Sequence, residues 1–152
     1  GGGGQGLLGS GSTQARGDQP GEMGDALPTV NLGAGRKPID VAIGDHHVCV
    51  ALDNQNVKCW GDGGFGQLGL GYTSDRGDQP GEMGESLPDV ELGTGRHALG
   101  VSVGAYHSCA RLTDLSIKCW GENDVGQLGL GDNLSRGDQP GQMGDGLGSV
   151  GF

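Results

Sequence analysis

Large apolar and aromatic side chains are scarce: two Trp, two Tyr and two Phe in 152 residues, with all apolar types together at 33%. Basic residues are scarce too, nine Lys and Arg against nineteen Asp and Glu, which leaves a formal charge of −10 and no Lys/Arg cluster. Nucleic-acid binding draws on a basic face that neutralises phosphates, so nucleic acid is not an expected partner. The same charge disfavours anionic membranes. No apolar run approaches the ~18 residues that a spanning helix needs, so no membrane insertion is expected of this segment. The N-terminal GGGGQGLLG is neither a signal peptide nor a Met start, so secretion would require a leader outside these residues.

What the chain has is glycine, 36 of 152 residues. Each interior Gly costs a helix ~1 kcal/mol relative to Ala, so long helices are excluded and short strands joined by turns remain. A strict Gly-X-Y period is missing, which excludes collagen.

One self-similarity organises the sequence, at an offset of 60 residues. His47, Cys49, Cys59 and Trp60 recur as His107, Cys109, Cys119 and Trp120, and GQLGLG at 66–71 recurs at 126–131. A worn copy, GLLGSG, occupies 6–11. RGDQPGEMG at 16–24 returns at 76–84 and, as RGDQPGQMG, at 136–144. The chain therefore reads as a partial repeat over 1–37, a full repeat over 38–97 and a truncated one over 98–152. PIDVAIG and HALGVSVG alternate with period two, as half-buried strands do. HHVCVALDNQNVKCWG and YHSCARLTDLSIKCWG read as hairpins with Cys49 facing Cys59 and Cys109 facing Cys119, and with loops at 53–55 and 113–115. LPTVNLG and LPDVELG suggest a fourth, edge strand. Four short antiparallel strands at fixed spacing are the pattern of a β-propeller blade, an all-β class.

The run from His47 or His107 through Cys, Cys-Trp-Gly and Gly-Gln-Leu-Gly-Leu-Gly resembles the regulator of chromosome condensation repeat. The resemblance covers 41–71 and 101–131 and, more weakly, 6–11. It implies seven-bladed β-propellers that present loops to protein partners, in roles as different as nucleotide exchange on a small nuclear GTPase, chromatin docking, ultraviolet sensing and inhibition of secreted β-lactamases. A blade hides its faces only against neighbouring blades, so two and a half repeats are expected to need further blades, from the same chain or other subunits.

The facing cysteines are within reach of a disulfide inside each blade. Buried free thiols and a metal site of His47 with Cys49 and Cys59 are the competing readings, and the C-x2-C spacing of zinc sites is lacking. The disulfide reading places the protein in an oxidising compartment. Asn133-Leu134-Ser135 is an N-glycosylation sequon and agrees with it.

Signals for chemistry are weak. GDGGFG at 61–66 matches G-x-G-x-x-G, but the QLGLG run after it is no helix start, and Asn123 replaces Gly63 in the next repeat. Asp18, Glu22 and Asp25 fit no calcium loop, and Gln142 stands where Glu22 and Glu82 do. Trp60, Trp120, Gln67 and Gln127 read as packing and loop-bracing residues. No catalytic residue, cofactor or metal is expected. The favoured function is a non-catalytic extracellular or cell-surface module that binds proteins, within a larger assembly. Two alternatives stand beside it. One is an intracellular regulatory propeller with guanine-nucleotide-exchange activity. The other is an adhesion ligand read through Arg16-Gly17-Asp18, Arg76-Gly77-Asp78 and Arg136-Gly137-Asp138, against which these tripeptides would be turn-forming connectors.

Overall fold

Alternating apolar residues and three-residue turns fold the chain into two copies of one unit, seen here in a computed structural model that describes residues 2–151. Strands β1 (Pro38–Ile43), β2 (His47–Leu52) and β3 (Val57–Gly61) form the first sheet, in that order; β4 (Ala98–Val103), β5 (His107–Leu112) and β6 (Ile117–Gly121) form the second. All pairings are antiparallel, and the hairpin register places Cys49 opposite Cys59 and Cys109 opposite Cys119. Each hairpin closes over three residues, with Leu52 N–H donating to Asn56 and Leu112 N–H to Ser116 at 2.9 Å. The third loop residue is left-handed, φ 66° at Gln55 and 68° at Leu115, as a turn of this length requires.

Period-two alternation sends the two faces of β2 into two different cores. Val48, Val50 and Leu52 pack with Leu32, Trp60, Met83 and Leu87. Cys49, Ala51, Val57 and Cys59 point the other way and meet Ala98, Val101, Ala110, Leu112 and Trp120 of the second unit. The second core is the junction between two stacked sheets, so each blade is completed by its neighbour.

The expected fourth strand does not form. Residues 87–93 follow the outer edge of β3, but the ladder is reduced to one bond, Val90 N–H to Val57 at 2.8 Å, with Val150 to Ile117 as its counterpart. Pro28 and Pro88 have no N–H to offer. The carbonyls of Asn31 and Glu91 accept instead from Gly84 and Gly144 of the following connector, at 2.9 and 2.8 Å. The backbone groups that would have built a strand are used to tie one blade to the next.

Candidate functional site

The repeated RGDQPG segment is the tie between blades. Arg76 exchanges two backbone hydrogen bonds with Gly61, at 2.8 and 3.0 Å, and Arg136 does the same with Gly121. The next carbonyl in each copy crosses the junction: Gly77 accepts from Gly11 at 3.1 Å, and Gly137 from Gly71 at 2.9 Å. The GLLGSG and GQLGLG loops are therefore sockets for the connector of the following repeat. A Cβ on Gly6 would lie 2.3 Å from the Asp78 nitrogen, and one on Gly66 2.4 Å from the Asp138 nitrogen, so the approach requires glycine at both places. Gly77 and Gly137 are buried, and the Arg76 guanidinium is held by Tyr72 Oη at 2.9 and 3.1 Å and by Glu82 at 3.2 Å. Arg136 pairs with Asp132 at 2.6 Å. In these two copies the tripeptide is built into the blade junction and is not splayed at a loop tip. In the first copy Gly17 and Asp18 are exposed, and Arg16 Nη1 lies 3.9 Å from Glu22.

The residue after QPG is the hub of each connector. Glu22 Oε2 accepts from Gly17 and Gln19 N–H at 2.9 and 3.0 Å, and Glu82 Oε2 from Gly77 and Gln79 at 3.0 and 3.1 Å. Gln142 Oε1 takes Asp138 and Gln139 N–H, both at 3.1 Å. An acceptor oxygen is what the turn needs, and Gln supplies one as well as Glu does. This explains the one substitution within the nine-residue motif. Partial burial works against the Glu82 charge, but hydrogen bonds from Asp78, the Gln79 and Gly77 amides and Arg76 outweigh it and hold its carboxyl below the ordinary range. Burial first, then the neighbouring Glu82, raises the carboxyl of Asp78.

Two further repeated residues fix the connector, and neither stands out in the sequence. Lys58 and Lys118, which precede the second cysteine of each hairpin, are buried. Lys58 Nζ donates to the carbonyls of Gly84 and Leu87 at 2.6 and 2.8 Å, and Lys118 Nζ to Gly144 at 2.7 Å. Burial lowers the Lys118 ammonium from its usual value. The acid of the following 3₁₀ turn reaches back across the junction: Glu85 accepts from Ala34 N–H at 2.8 Å, and Asp145 from Thr94 N–H and Oγ1 at 2.9 and 2.7 Å.

The structure joins Cys49 to Cys59 and Cys109 to Cys119, each with Cα atoms 4.1 Å apart. The first disulfide is fully buried in the junction, beneath a chain of polar groups. His47 Nε2 lies 2.7 Å from Ser108 Oγ, which donates to the Gln67 carbonyl at 2.8 Å; Trp120 Nε1 reaches the same carbonyl at 3.0 Å. Ser108 spends its proton on Gln67, so it accepts from His47 and fixes the proton of the neutral imidazole on Nε2. Burial lowers the His47 pKa to about 4. Ser and His here are locked to each other and to a backbone carbonyl inside a closed junction, an arrangement that braces blades. The sequence pattern passes over Ser108 because Val48 occupies its place in the other repeat.

Other residues prominent in the sequence have structural places. Gln67 Oε1 accepts from Phe65 N–H at 2.7 Å and Gln127 Oε1 from Val125 at 3.0 Å, so both brace their loops. Trp60 and Trp120 are buried in the two cores. GDGGFG runs into turns. No group of three His, Cys, Asp or Glu side chains suited to a metal occurs among the described residues. Asn133 is exposed on the loop after GQLGLG, with Nδ2 3.2 Å from the Asp124 carbonyl.

The family model described as the regulator of chromosome condensation (RCC1) repeat matches residues 39–67 and 99–127, and a second of the same description matches 56–111, together more than half of the chain. The chain belongs to the RCC1 repeat family. A probable human E3 ubiquitin-protein ligase, HERC6, is 35% identical over 91 residues, 60% of this chain and 8% of the ligase. The ultraviolet-B receptor UVR8 of Arabidopsis thaliana is 34% identical over 99 residues, 64% of this chain and 21% of the receptor. This RCC1 repeat chain thus spans a small part of the relatives it matches. Among solved structures, Prp20p of Saccharomyces cerevisiae, described with its binding to Gsp1p and histones, superposes with a TM-score of 0.61 at 14% identity, over 97% of this chain and 33% of that one. The RCC1 likeness shows the fold: antiparallel β-propeller blades.

Proposed function

We propose that this chain is part of a non-catalytic, protein-binding propeller that works outside the cell or at its surface, within a larger assembly. Its remaining blades come from its own chain or from other subunits. The observation that carries the reading is the closure of both hairpins by Cys49–Cys59 and Cys109–Cys119. Disulfides of this kind persist in oxidising compartments, where a glycine-rich blade with few large apolar residues gains most from a covalent brace. The exposed sequon at Asn133 agrees with that location. A binding role is supported by Prp20p, whose described partners, Gsp1p and histones, are proteins.

A membrane-impermeant biotin reagent applied to intact cells of the source tests the location. Recovery of the chain without lysis, or from the medium, is expected; recovery only after lysis sinks the extracellular reading. The second reading, an intracellular regulatory propeller with nucleotide-exchange activity, is favoured by the fold shared with Prp20p. It predicts reduced cysteines and stimulated nucleotide release from a partner GTPase by the complete propeller.

A further inference from the structure

At one end of the stacked sheets, aromatic residues that depart from the repeat meet in a single place. His46, before β2, stacks on Tyr106, before β5, with ring centroids 4.8 Å apart and an interplanar angle of 8°; Tyr106 Oη lies 3.0 Å from His46 Nε2. Phe65, from the loop after β3, meets the same tyrosine at 4.9 Å and 57°, and remains 43% exposed. Hydrogen bonds made in both units set this trio: Asp62 N–H to the His46 carbonyl and Glu122 N–H to the Tyr106 carbonyl, both at 2.9 Å, and Phe65 N–H to Gln67 Oε1 at 2.7 Å. The scaffold is repeated, but the side chains are not. Tyr106 stands at the position of His46, Val125 at that of Phe65 and Ala105 at that of Asp45.

An aromatic cluster that bridges two blades while leaving its phenyl ring in solvent is not required by the packing, since Val125 fills the same place with 79% exposure. Its surroundings are acidic. The exposed Asp45 precedes His46, and Glu122 is bonded to Tyr106 through the backbone. The nearby arginines along the same loops are taken, Arg76 by Tyr72 and Glu82 and Arg136 by Asp132. Arg36, Lys37 and Arg96 lie beside the hairpin turns at the opposite end of the strands, where Arg36 and Arg96 pair with Asp53 and Asp114.

We infer that the His46–Phe65–Tyr106 face docks a protein segment that presents arginine or lysine beside an apolar side chain. The inference rests on the protein-binding reading above and gives it a surface and a partner chemistry. The apolar group would cover Phe65, and the cation would lie over aromatic faces within a carboxylate rim, where cation–π and charge attraction add.

Selection of a displayed random heptapeptide library on the whole chain tests this, with Phe65→Val combined with Asp45→Ala as the counter-target. Both replacements are residues that the second repeat already carries at the same positions, so the variant is expected to fold; equal thermal melts check it. The expected result is enrichment of peptides pairing Arg or Lys with an apolar residue, bound at least ten-fold more weakly by the variant. Exchange of Asp45 and Glu122 for lysine should reverse the preference towards acidic peptides. Peptides that bind parent and variant equally would overturn this surface and leave the binding-module reading intact. No enrichment on either protein would overturn both.

Discussion

His47 Nε2 lies 2.7 Å from Ser108 Oγ, sixty-one residues away and in the next blade, and the pair is sealed inside the junction with the Cys49–Cys59 disulfide beneath it. Burial of His47 in that junction makes folding sensitive to acid. Burial lowers the His47 pKa from 6.5 to about 4, so the folded state favours the neutral ring. The resulting stability is fully present above pH 6.5 and is lost as pH falls towards 4. The shift corresponds to about 3 kcal/mol. Urea unfolding at a series of pH values should show parent losing more stability than His47→Gln across this window; parallel curves would contradict the assignment.

The glycines of the two equivalent sockets should differ in their tolerance of a methyl group. Gly66 and Gly126 share a φ of +78°, but a Cβ on Gly66 meets the backbone of residues 136–138 while one on Gly126 has ordinary clearance. Gly126→Ala should cost about 1–2 kcal/mol, from the left-handed backbone alone. Gly66→Ala should cost at least ~1 kcal/mol more, because it also displaces the bond between Gly71 and Gly137. Equal losses in denaturant midpoint would remove the connector from its socket.

At Glu82 the chain has already made the conservative exchange, with Gln142 in the third copy. Glu82→Gln is therefore expected to be close to neutral. Glu82→Ala leaves the Gly77 and Gln79 amides without their acceptor and should cost about 1–2 kcal/mol. Thermal melting of the two variants side by side separates the acceptor role from a requirement for charge.

Leu115 is held at φ 68° with 79% of its surface in water. A leucine there strains the backbone and buries little of its side chain. Leu115→Asn, a residue that tolerates the left-handed region, should raise stability by up to ~1 kcal/mol and move the melting temperature upward. A lower melting temperature would contradict the strain assigned to this leucine.

Much of this architecture is legible in the sequence because the repeat states it twice. The offset of 60 places the strands, and the two cysteines of each hairpin fix its register and its solvent-hidden face. The missing fourth strand is not legible. Whether the Asn31 and Glu91 carbonyls serve a ladder or the next blade depends on where Gly84 and Gly144 arrive. The RGD segment misleads for a related reason. Its local chemistry is that of an exposed turn, and only the socket glycines far back in the chain bury Gly77 and Gly137. Ser108 and Phe65 escape a search for repeated letters because each occurs at one position of the two, so the period that reveals the scaffold hides what is particular to a single junction.

The claim on which the functional account stands is that Cys49–Cys59 and Cys109–Cys119 are closed in the protein as it occurs in its source. Intact-mass analysis after alkylation under denaturing conditions without reductant tests it most directly. The account predicts no alkyl group on any of the four cysteines until a reductant is added, and then four. Full labelling without reductant would contradict it.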